Sequence, residues 1–538
     1  MAKEGRKQLL ILGAGVMQGP AIRTAREMGL ETIVVDGDPK APFAMLADRF
    51  EPIDLKDKEG IEALGRSVQK NGRLGGVFTA GTDFSATVAW VAQQLGLPGV
   101  PYEAALNASD KGRMRQRFQE AGVPSPQFAV LQDASALQSL SLPFSYPMVV
   151  KPVDNMGARG CRRIDSPEEL RAALPEALGY SRSHQAILEE YMDGPEYSVD
   201  ALIYRGQITI CGLADRHIFF PPYFIEMGHT IPTSLADSQA LLAAFTQGVR
   251  SLGLLGETCC GAAKGDVKLT SHGPMIGEIA ARLSGGYMSG WTFPYASGVE
   301  LTRGAISIAL GEAPQNLAPS RSWTCAERAF ISIPGTVRSI QGLEAAKAMP
   351  LVKDLFLLTA VGSRVQFPVN NVTKCGNVLA AAADRDSAIG AAENAARRVL
   401  IRLDAPDNET DAFLGMTGES NPLPHLDGGA GAIFPPPSFS LPREIEDQLK
   451  TLPLSDLRNR STGSLALVPF PALESSACLD YAGRTVAASL EAALSLLEIS
   501  IDRSSNPVPP YLGREFWYAL VRGGYQGAAY LLDRLMAV

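Results

Sequence analysis

Apolar residues over the first hundred positions fall in short blocks that switch between a two-residue and a 3.6-residue period. Residues 8–12 read as a strand, Gly13-Ala-Gly15 as a turn, residues to about Met28 as a helix, and 32–35 as a second strand ending at Asp36. A third strand, 76–79, feeds Gly81-Thr82-Asp83 and a helix over 85–95. This alternation predicts a Rossmann-like α/β domain over residues 1–105. Asp83 then stands at the carboxyl end of a parallel strand, where such sheets bind ligands, and equally suits a helix N-cap.

Ser109-Asp110-Lys111 opens an amphipathic helix that runs through Ala121. Lys111 lies in its first turn, where the helix dipole disfavours a cation; a solvated lysine is the ordinary reading, and a phosphate contact explains the placement better. Met148, Val149 and Val150 form a short buried-type strand that delivers Lys151 to a loop. In that loop Gly157 and Gly160 let backbone N–H groups crowd an anion, and Arg159, Arg162 and Arg163 make the surroundings positive. A triphosphate is the expected ligand, an ordinary strand-to-turn connection the alternative.

A helix over 167–178 precedes residues 186–200, which read as two strands joined at Asp193-Gly194. Such a crossing segment can offer backbone groups to a planar base and Glu196 to ribose hydroxyls; a surface hairpin is the alternative. Residues 219–232 read as a loop, broken by prolines and a glycine yet rich in aromatics, with Glu226 and His229 as substrate contacts or His229 as a structural hydrogen-bonder. Two further strands, 257–270 and 274–280, place Asp266 and Glu278 opposite each other. That carboxylate pair suits Mg²⁺, unless either side chain turns to solvent. Arg282 and the turn Ser284-Gly285-Gly286 follow.

Residues 319–404 return to an α+β pattern with a helix over 387–400. Composition shifts at Asp404: 427–437 looks like a linker, and amphipathic helical patterns follow over 481–499 and 514–536. The domains read as 1–105, 106–318 with a hinge near 189–196, 319–404, and 405–538.

Composition narrows the function classes. A formal charge of −8 without a long Lys/Arg block argues against nucleic-acid and anionic-membrane surfaces but allows one basic pocket. No apolar run approaches the roughly 18 residues of a membrane helix. The seven scattered cysteines include no Cys-x-x-Cys, which fits a reducing cytoplasm better than a zinc site or a disulfide framework. Gly13-x-Gly15-x-x-x-Gly19 misses the dinucleotide fingerprint by one position, which makes an NAD-dependent oxidoreductase a weak reading.

Taken in order, Lys111, Lys151 with its Gly-rich loop, residues 188–196, the Asp266 and Glu278 pair and Ala280-Ala-Arg282-Leu-Ser-Gly-Gly286 resemble the ATP-grasp superfamily, and within it the carboxylate-amine ligase branch of L-amino-acid ligases. The resemblance covers about residues 8–403. It implies a Rossmann-like N-terminal domain, an ATP-grasp central domain, a smaller α+β lid domain and, beyond the family pattern, a C-terminal helical extension.

It also implies roles. Lys111 and Lys151 would bind ATP phosphates beneath a lid containing Asn155, Gly157 and Gly160. Glu189, Glu190, Tyr191 and Met192 would frame the adenine, Glu196 the ribose, and Asp266 with Glu278 would hold Mg²⁺ or Mn²⁺. Glu226 and His229 would meet an amino-acid substrate, Arg282 an acyl phosphate beside Gly285 and Gly286, and Asp83 an amine. Many members carry Glu-x-Asn-x-Arg at the metal site; here Ala280 replaces the asparagine, which leaves a second magnesium in question.

The implied activity joins a small-molecule carboxylate to an amine through an acyl phosphate, in a cytoplasmic homodimer. The alternatives are an ATP-grasp carboxylase or carbamoyl-phosphate-type enzyme, and a non-catalytic nucleotide-binding protein.

Overall fold

The computed structural model describes residues 6–133, 135, 142–416, 438–458, 464–497 and 499–536. The linker read over 427–437 lies outside them. The chain divides into two units, Met1–Glu327 with Ala380–Ile389, and Arg328–Leu379 with Gly390–Val538.

The first unit begins with β1 (Gln8–Leu12), α1 (Gly19–Glu27), β2 (Glu31–Val35), β3 (Arg49–Glu51), α2 (Lys58–Asn71), β4 (Leu74–Phe78) and α3 (Ser85–Gln94). Its strands make a parallel sheet in the order β3-β2-β1-β4. Leu9, Ile11 and Val34 are buried on one face and Leu10, Leu12, Ile33 and Val35 on the other, as a parallel sheet covered on both sides requires. Phe84, not Asp83, is the N-cap residue of α3.

After α4 (Tyr102–Ser109), Asp110 caps α5 (Lys111–Glu120) by accepting the Arg113 amide at 2.9 Å. β5 (Phe128–Leu131), β6 (Met148–Pro152), β7 (Arg162–Ile164), α6 (Pro167–Tyr180) and β8 (Ala186–Glu190) follow, with the strands antiparallel in the order β5-β8-β6-β7. Leu170, Ala173, Leu174 and Ala177 seat α6 on that sheet.

Next come β9 (Glu196–Tyr204), β10 (Gln207–Phe219), β11 (Ile225–Ile231), α7 (Gln239–Ser251), β12 (Cys260–Thr270), β13 (Gly273–Ala280), α8 (Phe293–Ser297), α9 (Leu301–Ala309) and β14 (Thr324–Phe330). A second antiparallel sheet runs β13-β12-β9-β10-β11 and continues into β14 at Cys325 and Ala326. Tyr197, Val199, Ala201 and Ile203 of β9 join Ala263, Val267, Ile276 and Ile279 in a core with Phe118 of α5 and Phe245 of α7. The intervening polar residues therefore share the opposite face.

Residues 186–200 form two strands as expected, and the surface-hairpin alternative falls because β8 and β9 belong to different sheets and 191–195 cross between them. One expectation is corrected. Residues 219–232 are mostly strand, and only 220–224 separate β10 from β11. The prolines sit at positions 221, 222 and 232, outside the ladder, while Ile225, Met227 and Ile231 pack on it as apolar strand residues do.

The second unit contains β15 (Gly335–Gln341), α10 (Leu343–Lys347), β16 (Val352–Leu357), β17 (Arg364–Val365), most of β18 (Gly376–Ala382), most of α11 (Arg385–Arg398), β19 (Leu400–Leu403) and α12 (Asn408–Phe413). The C-terminal extension adds α13 (Arg443–Thr451), β20 (Ser464–Leu467), α14 (Pro471–Glu474), α15 (Val486–Leu494), β21 (Ser500–Asp502), β22 (Tyr511–Leu512) and α16 (Arg514–Met536). It is helical as expected, with a small parallel sheet β21-β20-β22 that the pattern did not reveal. Gln526 of α16 donates to Ser332 Oγ at 2.7 Å and Ile401 O at 2.9 Å, and accepts the Ile333 amide at 3.0 Å. The extension thus shares this unit's core. Among the described residues no helix is long and apolar enough to cross a membrane.

Candidate active site

Antiparallel pairing of β6 with β8 sets Val149 opposite Glu189, which makes Lys151, two residues on, the diagonal neighbour of Glu189 on one face. Lys151 Nζ lies 2.6 Å from Glu189 Oε2, and Arg115 Nε of α5 lies 2.9 Å from Oε1. Burial drives the Glu189 carboxyl up, but the two cations and their hydrogen bonds outweigh it and hold it at about 2. The Glu189 side chain is thus committed to Lys151 and Arg115. Arg115 is four residues after Lys111, one helical turn along the same face, and also donates to Gly277 O at 2.6 Å.

Lys111 is buried, and its Nζ donates to Asn155 O at 2.8 Å and lies 3.5 Å from Glu278 Oε1. Asn155 Nδ2 in turn donates to Tyr180 O at 2.7 Å. Gly157, Ala158 and Gly160 follow with φ of 70°, 58° and 67°. Glycine reaches this conformation without strain, and it turns backbone amides toward a common side.

At the crossing segment, the Tyr191 ring lies between Arg163, 4.7 Å from its centroid, and Lys268 Nζ, 5.5 Å away. Lys268 also donates to Met192 O at 3.1 Å. Glu190 exchanges backbone and side-chain bonds with Gln127.

Three rows of side chains cross β10, β9, β12 and β13 on the polar face: Arg216, Glu196, Lys268 and Met275; Ala214, Ser198, Asp266 and Glu278; Gly212, Asp200, Lys264 and Ala280. The register shifts beside Asp266, so Gly277 has no partner across the ladder and Glu278 comes to face Asp266. Arg216 sits among three acids. Its Nη1 pairs with Glu196 and lies 3.1 Å from Asp266 Oδ2, and its Nη2 lies 2.9 Å from Glu226 Oε2. Lys264 Nζ is bonded to Asp266 Oδ2, and Ser198 Oγ donates to Oδ1 at 2.9 Å.

Burial would raise both acids of the central row. Arg216 and Lys264 hold Asp266 below the usual carboxylate range, and Lys111, Lys264 and Lys151 do so for Glu278. Glu278 remains 34% exposed, on the open side of the site. Two ionised carboxylates in register are the hard donors that Mg²⁺ or Mn²⁺ takes. Among the described residues no group of three or more His, Cys, Asp or Glu could hold a metal alone.

Glu226 and His229 meet on β11, with His229 Nε2 3.7 Å from Glu226 Oε2, and His229 Nδ1 2.7 Å from the buried Glu327. Gly286, at φ 58°, abuts them so closely that a Cβ there would lie 2.8 Å from Glu226 Oε1. Arg282 Nε donates to Thr82 O at 2.9 Å, and Gly285 packs against Gly81, which docks the parallel sheet's loop onto residues 282–286. Asp83 in that loop pairs with Arg182. Asp200 is fully buried; its Oδ1 accepts the Ser284 amide at 3.0 Å, Oδ2 has no partner among the described residues, and burial raises its pKa.

The sequence reading did not single out Arg115, Arg216, Lys264, Asp200 or Glu327. The spacing from Lys111 to Arg115 and from Lys264 to Asp266 carried a signal, since each pair shares a face. Arg216 and Glu327 come into place only through strand pairing.

Comparison with known proteins gives three domain matches: an ATP-grasp N-terminal domain over 22–99, an ATP-grasp domain over 144–290, and an L-amino acid ligase C-terminal domain 2 over 329–404. An uncharacterised protein of Sinorhizobium fredii is 28% identical over 398 residues, 72% of this chain and 81% of the relative. Carnosine synthase 1 of Gallus gallus is 28% identical over 420 residues, 71% of this chain but only 44% of that protein's length. The crystal structure of L-amino acid ligase from Bacillus licheniformis superposes with a TM-score of 0.64 at 22% identity, over 74% of this chain and 99% of that one, a likeness of fold.

Proposed function

Because this chain belongs to the ATP-grasp superfamily and carries an L-amino acid ligase C-terminal domain, we propose that it joins an amino-acid-like carboxylate to an amine through an acyl phosphate, releasing ADP and phosphate. The observation that carries this reading is the convergence of Lys111, Lys151, Lys264 and Arg216 on the Asp266 and Glu278 pair, a cationic cradle with acids in register. The ligase and synthase names of the relatives support it.

A carboxylate is a poor electrophile, and its phosphorylation supplies a leaving group. The protein's work is then positioning and charge neutralisation. Lys111 and Lys151 take the ATP phosphates, and the loop with Asn155, Gly157 and Gly160 covers them and excludes water. Backbone groups of Glu190, Tyr191 and Met192 take the adenine and Glu196 the ribose. Asp266 and Glu278 would hold Mg²⁺ or Mn²⁺, which would supply Lewis-acid chemistry to phosphoryl transfer. Glu226 and His229 orient the acid, while Arg282 and the amides near Gly285 and Gly286 stabilise charge on the acyl phosphate. Asp83 receives the amine.

The test is ADP release with Mg²⁺ and a panel of amino acids, offered singly and in pairs, with and without hydroxylamine. An aminoacyl hydroxamate with stoichiometric ADP supports the ligase. Bicarbonate-dependent ATP hydrolysis without hydroxamate would replace it with a carboxylase, and nucleotide binding without turnover would replace it with a non-catalytic protein.

A further inference from the structure

We infer that Arg182 receives the carboxylate of the amine-bearing substrate, so that this substrate is an amino acid entering as a zwitterion between Asp83 and Arg182. This rests on the ligase reading and names a specificity residue for its second substrate.

Arg182 is mounted on the phosphate loop. Asp154, the residue before Asn155, accepts the Ser181 hydroxyl at 2.8 Å and the Arg182 and Ser183 amides at 2.9 Å each, which ties the backbone bearing Arg182 to residues 154–155. Asp83 belongs to the loop after β4, which is held from the other side: Thr82 O accepts Arg282 Nε at 2.9 Å, and the Gly81 amide donates to Leu283 O at 3.3 Å. The Asp83–Arg182 pair joins the two mounts and closes a ring of contacts. From Lys111, which meets both Asn155 O and Glu278, the ring passes through Asp154, Arg182, Asp83 and Thr82 to Arg282, four residues beyond Glu278. In the proposed reaction Lys111, Glu278 and Arg282 surround the transferring phosphoryl group, and Arg182 and Asp83 form the rim from which an amine reaches it.

The pair has bonding capacity left over. Arg182 carries five N–H donors, and among the described residues its side chain meets only Asp83 and the Phe84 ring, whose centroid lies 5.2 Å away. Contact with the ring steadies the plane of the guanidinium fork, the geometry that takes a carboxylate in two parallel hydrogen bonds. The Asp83 carboxylate has no described partner besides Arg182. With the side chains 43% and 21% exposed, the pair is weakly held and opens readily, unlike Glu189, which is 3% exposed between two cations.

Charge balance selects the class of ligand. A simple ammonium at Asp83 would strand the Arg182 charge, and a lone carboxylate at Arg182 would strand Asp83. A zwitterion exchanges one ion pair for two and leaves the net charge of the rim unchanged, Asp83 taking its ammonium and Arg182 its carboxylate.

The experiment offers the full chain, at saturating ATP, Mg²⁺ and acid substrate, each amino acid that serves as amine and, separately, its own carboxamide. The carboxamide keeps the amine and the side chain, lacks the negative charge, and cannot itself act as the acid. The unmodified chain should favour the amino acid by at least ~10-fold in kcat/KM, and Arg182→Gln should lower that ratio by at least ~10-fold through KM, with Arg182→Lys intermediate. Equal use of both by the unmodified chain, or use of amines but of no amino acid, overturns the inference. So does an unmoved ratio in Arg182→Gln, which is what a contact that merely latches two loops would give, since its loss slows both amines alike. Should Arg182→Gln not fold, the unmodified chain and Arg182→Lys still decide. If hydroxylamine traps no hydroxamate from the unmodified chain, the ligase reading fails and the inference with it, whereas hydroxamate formation with an unmoved ratio sinks the inference alone.

Discussion

Lys151 and Arg115 grip opposite oxygens of one buried carboxylate, Glu189, at 2.6 and 2.9 Å. Removing that acid leaves two cations facing each other with little solvent. Glu189→Gln should destabilise the first unit by about 3–5 kcal/mol, read from urea unfolding. Because the folded pKa of Glu189 is depressed to about 2 from 4.5, its contribution is fully present above pH 4.5 and is lost as pH falls from there toward 2. The linked stability is on the order of 3 kcal/mol, and the acid-unfolding curve of Glu189→Gln should be flatter across that window.

Glu278 is one-third exposed beside Asp266, whereas Lys151 is held by the buried Glu189 at the end of β6, so under the proposed roles their variants should fail differently. Glu278→Gln should bind nucleotide yet need at least ~10-fold more Mg²⁺ for half-maximal ADP release. Lys151→Ala should lower kcat by roughly 10²-fold or more at saturating Mg²⁺. Unchanged Mg²⁺ dependence in the first, or normal turnover in the second, would contradict the assigned roles.

Gly286→Ala adds a methyl group 2.8 Å from Glu226 Oε1 at a positive φ. We expect a stability loss of about 1 kcal/mol and a raised KM for the carboxylate substrate, with KM for ATP little changed. Steady-state kinetics varying each substrate in turn checks this split, and equal shifts in both KM values would move Gly286 away from the acid site.

Gln526→Leu in α16 deprives the buried Ile333 amide and Ile401 carbonyl of partners. Each orphaned group costs about 1–3 kcal/mol, so the second unit should unfold at visibly lower denaturant. Stability equal to the unmodified chain would mean that the extension is dispensable to that core.

Much of this architecture was legible because periodicity and breakers agree. Residues 8–12, the helix capped by Asp110 and the Asp266 and Glu278 strands all appear where alternation placed them. The segment around Glu226 misled because its prolines read as loop residues, yet they sit just outside the paired strand. Arg216 and Glu327 were invisible for a different cause: their partners are remote in sequence, and only the register of β9 to β14 brings them together. The parallel sheet of the extension escaped because strands of four, three and two residues are too short to show a period.

Gly277 has a consequence out of proportion to its size. Ile276 points into the core beside Ile279, and strict alternation would send residue 278 to that same apolar side. The single unpaired residue between them inverts the phase of β13, so that Glu278 surfaces beside Asp266 while Ile279 and Ala281 return inward. Excising Gly277 would remove no ligand and no charge. It would leave Ile276, Glu278 and Ile279 in strict alternation, inward, outward and inward, with the acid still opposite Asp266; the bulge is what lets β13 carry one more residue without turning that carboxylate into the hydrophobic interior.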